Sequence, residues 1–231
     1  MAVHVFPVES LCENDKALSI KKACSMVRAC LSLHNQLGET TDAYMHCANP
    51  AALSDAVDKF VAWSEKRPQD DPKLLWLSLH GETPKNGRHV GTRGISSERE
   101  IVDWWKAFSG VCGRSPRNVV VLMDVCWGAS PAAPSKMTKR TGNPSLLFGP
   151  VRSATRVELD FATGHVVSAL ARGTVPAVRD AKRVVDTLNT MFPSDPKNGS
   201  PFYRVFWWSK RSARPNCHPA FQGTRLTRVR P

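Results

Sequence analysis

Apolar and polar positions along the chain alternate between two rhythms. "VHVFPV" at residues 3–8 and "LLWLSL" at 74–79 are short, dense apolar runs of the kind that strands buried on both faces of a parallel sheet require. "NVVVLMDVC" at 118–126 is the strongest strand signal, led by Val119, Val120 and Val121. Between the runs the period changes. Residues 15–37 space Leu18, Met26, Val27, Leu31 and Leu33 among Lys21, Lys22 and Arg28, a helix that Gly38 should end. "TDAYMHC" (41–47) predicts a second strand, and "NPAALSDAVDKFVAWSEK" a second helix with Asn49 as N-cap and Pro50 at its first position. "SSEREIVDWWKAFSG" predicts a third helix, with Ile101, Trp104, Trp105 and Phe108 as its apolar face. Beyond a polar, proline-rich stretch at 130–145 that reads as an exposed loop, structure resumes at "LLFGPVRSA". "FATGHVVSALARG" and "VPAVRDAKRVVDTLNTMF" follow as helices, and "FYRVFWW" (202–208) as a final strand.

Strands alternating with helices at this period predict an α/β fold: a mostly parallel central sheet of about six strands with helices on both faces. The compact domain should cover residues 1–209, and residues 210–231, which carry Lys210, Arg211, Arg214, Arg225, Arg228 and Arg230 without an acid, read as a basic C-terminal tail. At 231 residues and 42% hydrophobic content the chain can build a substantial core. No apolar run approaches membrane-spanning length, and the N-terminus lacks the pattern of a secretory leader, so a soluble cytoplasmic protein is expected. The seven scattered cysteines have no zinc-site spacing, and neither a disulfide framework nor a metal is expected. "QDDP" (69–72) is too short an acidic segment for a calcium loop. The net charge of +12 favours acidic partners and leaves nucleic acid open as one.

In a doubly wound sheet, chemistry gathers beyond the carboxyl ends of the strands. Two of the buried runs end there in reactive residues: "LLWLSLHGE" in His80 and Gly81, and "VVVLMDVCWG" in Asp124 and Cys126. A thiolate nucleophile needs an imidazole to exchange protons and backbone donors for the oxyanion that forms. The separation of 46 positions (126 − 80) leaves room for a loop, a helix and a strand between the two.

These two strand ends resemble the catalytic motifs of the caspase-like cysteine peptidases, the group that holds caspases, metacaspases and bacterial CHAT proteases. The resemblance in element order runs over residues 3–208, while the specific matches are confined to about twenty residues around the motifs. It implies a three-layer caspase-like sandwich with Cys126 as nucleophile, His80 as proton-transferring partner, and the backbone amides of Gly81 and Cys126 as oxyanion donors. Asp124 matches an acid that lines the S1 pocket of metacaspases, which implies cleavage after Arg or Lys. Here "DVCWGAS" departs from the polar pair usual around the metacaspase cysteine. Family members are often activated by cutting the loop after the nucleophile, so Lys136, Lys139 and Arg140 are candidate self-cleavage sites. The resemblance needs no cofactor, implies protein or peptide substrates and a regulatory partner, and is similar to stand-alone proteins of bacterial defence or cell-death systems. The alternative function class is a catalytically inactive scaffold, or a basic protein that binds nucleic acid or an acidic protein. His89, His165, Glu82, the Cys24–Cys30 pair and the tryptophans at 207 and 208 read as surface or packing residues.

Overall fold

A computed structural model describes residues 2–10, 20–33, 37–40, 45–46, 50–79, 81–82, 91–94, 97–103, 118–129, 145–173, 177–197, 199–208 and 215–220. The main sheet is built from β1 (Val3–Ser10), β2 (Leu37–Thr40), β3 (Met45–His46), β4 (Lys73–Leu79), β8 (Val119–Asp124), β9 (Leu146–Pro150), β10 (Tyr203–Trp207) and β11 (Asn216–His218). A smaller antiparallel sheet holds β5 (Gly81–Glu82), β6 (Gly91–Gly94) and β7 (Ser97–Asp103). The described helices are α1 (Ile20–Leu33), α2 (Pro50–Glu65), α3 (Arg156–Ala171) and α4 (Val178–Met191).

Strand order across the main sheet is β11-β10-β9-β8-β4-β1-β2, with β3 also pairing with β1. β2 and β3 lie along the same side of β1, one against Val3 and Val5 and the other against Val8 and Glu9. All pairings from β2 to β9 are parallel, and β10 and β11 close the far edge in antiparallel fashion. The chain runs outward from β1 through α1 and returns past it through α2 to β4. β1 and β4 therefore flank a topological switch point, and β8 lies beside it.

Side-chain alternation along the central strands divides the core in two. Val3, Val5, Leu74, Trp76, Val120 and Leu122 face α1, α3 and α4, whereas Phe6, Val8, Leu75, Leu77, Val121 and Met123 face α2. Every residue of β4 and of β8 is buried, which explains why both read as uninterrupted apolar runs. On the α2 side, Phe6 meets Phe60 and Trp63 edge to face, and the three rings form a cluster with centroids 5.3 to 6.0 Å apart.

The expected α/β architecture is found, with helices on both faces of a mostly parallel sheet. Three local readings change. Residues 97–103, expected to open a helix, form β7, paired antiparallel with β6 through Thr92–Val102 and Arg93–Ile101. The β-branched neighbours Ile101 and Val102 suit a ladder once β6 offers one, and the tertiary pairing overrides the helical spacing. Trp104, Trp105 and Phe108 lie outside the described residues. Gly38, expected to stop α1, sits inside β2. The stretch read as a tail contains β11, whose residues 216–218 pair with Val205, Phe206 and Trp207 of β10.

Candidate active site

β4 and β8 run side by side in register, Leu77 against Met123 and Ser78 against Asp124, so they leave the sheet at the same level. β8 ends at Asp124, and the chain turns at once through residues 125–129. That turn closes on itself and is stitched to the end of β9 and the residues just after it. Trp127 N–H donates to Arg152 C=O at 3.2 Å, Gly128 N–H to Val125 C=O at 2.9 Å, and Ala129 N–H to Pro150 C=O at 2.8 Å. Trp127 has φ +64°, the left-handed conformation that reverses the chain directly after the cysteine. Gly128 has no room for a side chain: a Cβ there would lie 2.8 Å from Met123 Cβ and 3.0 Å from Val125 O. Among the described residues no backbone hydrogen bond engages Cys126 N–H, although the three amides after it are all committed.

Cys126, partly buried, rests against the residues that lead into α3. Ala154 N–H donates to Sγ at 3.3 Å, the thiol faces Ala154 C=O at 3.4 Å, and Ser153 Oγ lies 3.8 Å away. This wall is itself braced. Thr155 caps α3 by accepting from Glu158 N–H at 3.3 Å, and Glu158 accepts in return from Thr155 N–H at 2.7 Å, a complete capping box. Arg152 reaches the same carboxylate at 2.7 Å, donates to Pro193 C=O at 3.2 Å, and lies over the Phe202 ring at 4.7 Å. Burial alone would raise the Glu158 carboxyl, but the hydrogen bonds from Arg152 and Thr155 outweigh it and hold the group below its ordinary range.

Beneath the turn lies Asp124, 2% exposed. Its Oδ2 accepts from Trp76 Nε1 at 3.4 Å and pairs with Arg156 Nη1 at 3.3 Å, while Oδ1 is buried and has no hydrogen-bond partner among the described residues. Burial pushes this carboxyl up to about 6 against the pull of Arg156, with Asp160 adding to the rise and the Trp76 bond opposing it. Arg156, at the first position of α3, also donates to Ser78 Oγ at 3.0 Å and to Asp160 Oδ1 at 2.5 Å. Burial works against its charge, but Asp124, Asp160 and Glu9 together hold it more firmly protonated than usual.

Of the residues singled out from sequence, Asp124 and Cys126 stand together at the end of β8, and Gly81 opens β5 directly beyond the neighbouring β4. His80, His89, Lys136, Lys139 and Arg140 lie outside the described residues. His165 sits partway along α3, stacked on Phe161 with centroids 6.1 Å apart, and its imidazole is held below the ordinary value by burial and by Arg172. The residues that support Asp124 and Cys126, namely Trp76, Ala154, Arg156 and Glu158, were not legible as site residues. Only the Thr155–Glu158 spacing carried a signal, the threonine-to-glutamate signature of a helix start. Among the described residues no cluster of three or more His, Cys, Asp or Glu could hold a metal ion, and no helix is long and apolar enough to cross a membrane.

No family model matches the chain, and no curated protein matches it. Among solved structures it is similar to a secreted C11 cysteine protease from Bacteroides thetaiotaomicron, determined with an irreversible peptide inhibitor, at a TM-score of 0.53 and 13% identity. The match covers 89% of this chain and 66% of that one. At this identity the two proteins share a fold, the α/β sandwich that the sequence motifs predict.

Proposed function

We propose that the chain is a cysteine endopeptidase that works through Cys126 and His80 and cleaves after Arg or Lys. The observation that carries the reading is the turn after β8: a cysteine with a backbone amide on its sulfur, two residues beyond a buried carboxylate, where among the described residues neither the cysteine N–H nor the carboxylate Oδ1 has a hydrogen-bond partner. The fold shared with a C11 cysteine protease supports it. In the proposed reaction Cys126 gives its proton to His80 and its sulfur attacks the scissile carbonyl carbon. The oxyanion takes hydrogen bonds from the Gly81 and Cys126 amides. As the carbon–nitrogen bond breaks, His80 returns the proton to the departing amine. Water then gives a proton to His80 and attacks the acyl carbon, the sulfur–carbon bond breaks, and the thiol is restored. Asp124 supplies the negative charge that a P1 guanidinium or ammonium meets.

A protease with this preference would also cut its own 130–145 loop at Lys136, Lys139 or Arg140 and, as the resemblance to caspase-like proteins implies, act on a partner protein in a bacterial defence or cell-death system. Wild-type protein should release the fluorophore from peptides with Arg or Lys at P1 and not from those with Asp, and Cys126→Ala and His80→Ala should each abolish release. A wild type inert toward both basic-P1 peptides and its own loop, with an intact mass equal to that of Cys126→Ala after prolonged incubation, would remove the proposal.

A further inference from the structure

Asp124 is not an empty receptor for a substrate cation. Arg156 already lies against its Oδ2, with 17% of the arginine side chain exposed and 1% of the aspartate. The arginine is anchored more tightly elsewhere: 2.5 Å to Asp160 Oδ1 and 3.0 Å to Ser78 Oγ, compared with 3.3 Å to Asp124. Glu9, buried at the end of β1 and in register with Ser78, adds a third carboxylate that acts on the same guanidinium. Among the described residues, then, two carboxylates contact one arginine beyond the carboxyl ends of β4 and β8, a third acts on it from β1, and the buried Oδ1 of Asp124 still lacks a donor. The Oδ1 without a donor offers a second cation a hydrogen-bond acceptor, but that cation must settle beside the first.

We propose that Arg156 is a specificity-setting internal cation, which shares Asp124 with the substrate's basic P1 side chain and weakens its capture, while Asp160 and Ser78 hold the arginine partly aside. This rests on the reading of Asp124 as the S1 acid. Two like charges on one carboxylate repel across a few ångströms of partly buried protein, which restrains affinity for the incoming cation. The Asp160 anchor sets how strongly Arg156 competes. Removing the arginine should strengthen capture of basic groups, and removing its anchor should weaken it.

The test uses benzamidine, a small planar cation, titrated calorimetrically into the full chain carrying Cys126→Ala, so that no turnover is needed. Adding Arg156→Gln should tighten binding about tenfold, and adding Asp160→Asn should loosen it about threefold, with circular dichroism and thermal unfolding confirming the fold of each. Because Asp160 lies at the exposed rim, its variant keeps the test alive if Arg156→Gln does not fold. Unchanged or weaker binding in a folded Arg156→Gln protein, no loosening in Asp160→Asn, or no benzamidine binding in any variant would each overturn the inference. Failure of the peptidase reading shows separately, as no cleavage of any peptide by the protein with Cys126 intact.

Discussion

Asp124→Asn should abolish a pH dependence of stability that the buried carboxyl imposes. The group titrates near 6 in the folded chain against an ordinary value of 3.8, chiefly because it is buried, with Arg156 only partly restoring the charged form. The folded state therefore holds the proton more tightly than the unfolded state does. The stability this contributes is fully present below about pH 4 and is lost as pH rises through about 6. A shift of about two units, at about 1.36 kcal/mol each, corresponds to roughly 3 kcal/mol, or on the order of 6 to 12 °C in Tm for a chain of this size. Asparagine cannot ionise, so the variant lacks this slope while keeping the contributions of all other groups. Thermal unfolding of both proteins from pH 4 to pH 7.5 isolates the effect in the difference between the two curves. That difference should move by roughly 3 kcal/mol in favour of Asp124→Asn as pH rises. A flat difference, or one that moves toward the wild type, would show that Arg156 compensates the buried charge fully and would refute the reasoning.

Two other substitutions probe the scaffold around Cys126. Glu158→Gln should cost about 1 to 2 kcal/mol by weakening the capping box and the Arg152 pair. Because Glu158 is held below its ordinary range, its contribution is present above about pH 4.5 and lost on acidification through the lower folded value, so the variant's acid limb should be flatter in the same unfolding series. Gly128→Ala forces a methyl group to within 2.8 Å of Met123 Cβ, which should destabilise the turn by about 1 to 3 kcal/mol and slow alkylation of Cys126 by iodoacetamide.

The central strands were legible because burial on both faces leaves an unbroken apolar signature, as in Leu74–Leu79 and Val119–Met123. Asp124 and Cys126 were legible because they follow such a run and mark its carboxyl end. The short edge strands were not: Asn216–His218 sits among basic residues, is only partly buried, and has no alternation to reveal it. Residues 97–103 misled because apolar spacing cannot report the pairing with Gly91–Gly94, which is a tertiary event. The sequence pattern places the start of α3 at Phe161 instead of Arg156, because its first turn is polar and exposes Val157. Arg156 escaped notice for the same reason. Its partners Ser78, Asp124 and Asp160 are brought together only by the register of β4 with β8 and the approach of α3 to their ends.

The central claim, that Cys126 is the nucleophile of a peptidase selective for basic P1 residues, is tested most directly by an acyloxymethyl ketone probe with Arg at P1, followed by mass spectrometry of the digested protein. The account predicts one adduct, on the peptide that contains Cys126, formed much faster than with an Asp-P1 probe and absent in His80→Ala. An adduct on another cysteine, or equal labelling by both probes, would contradict it.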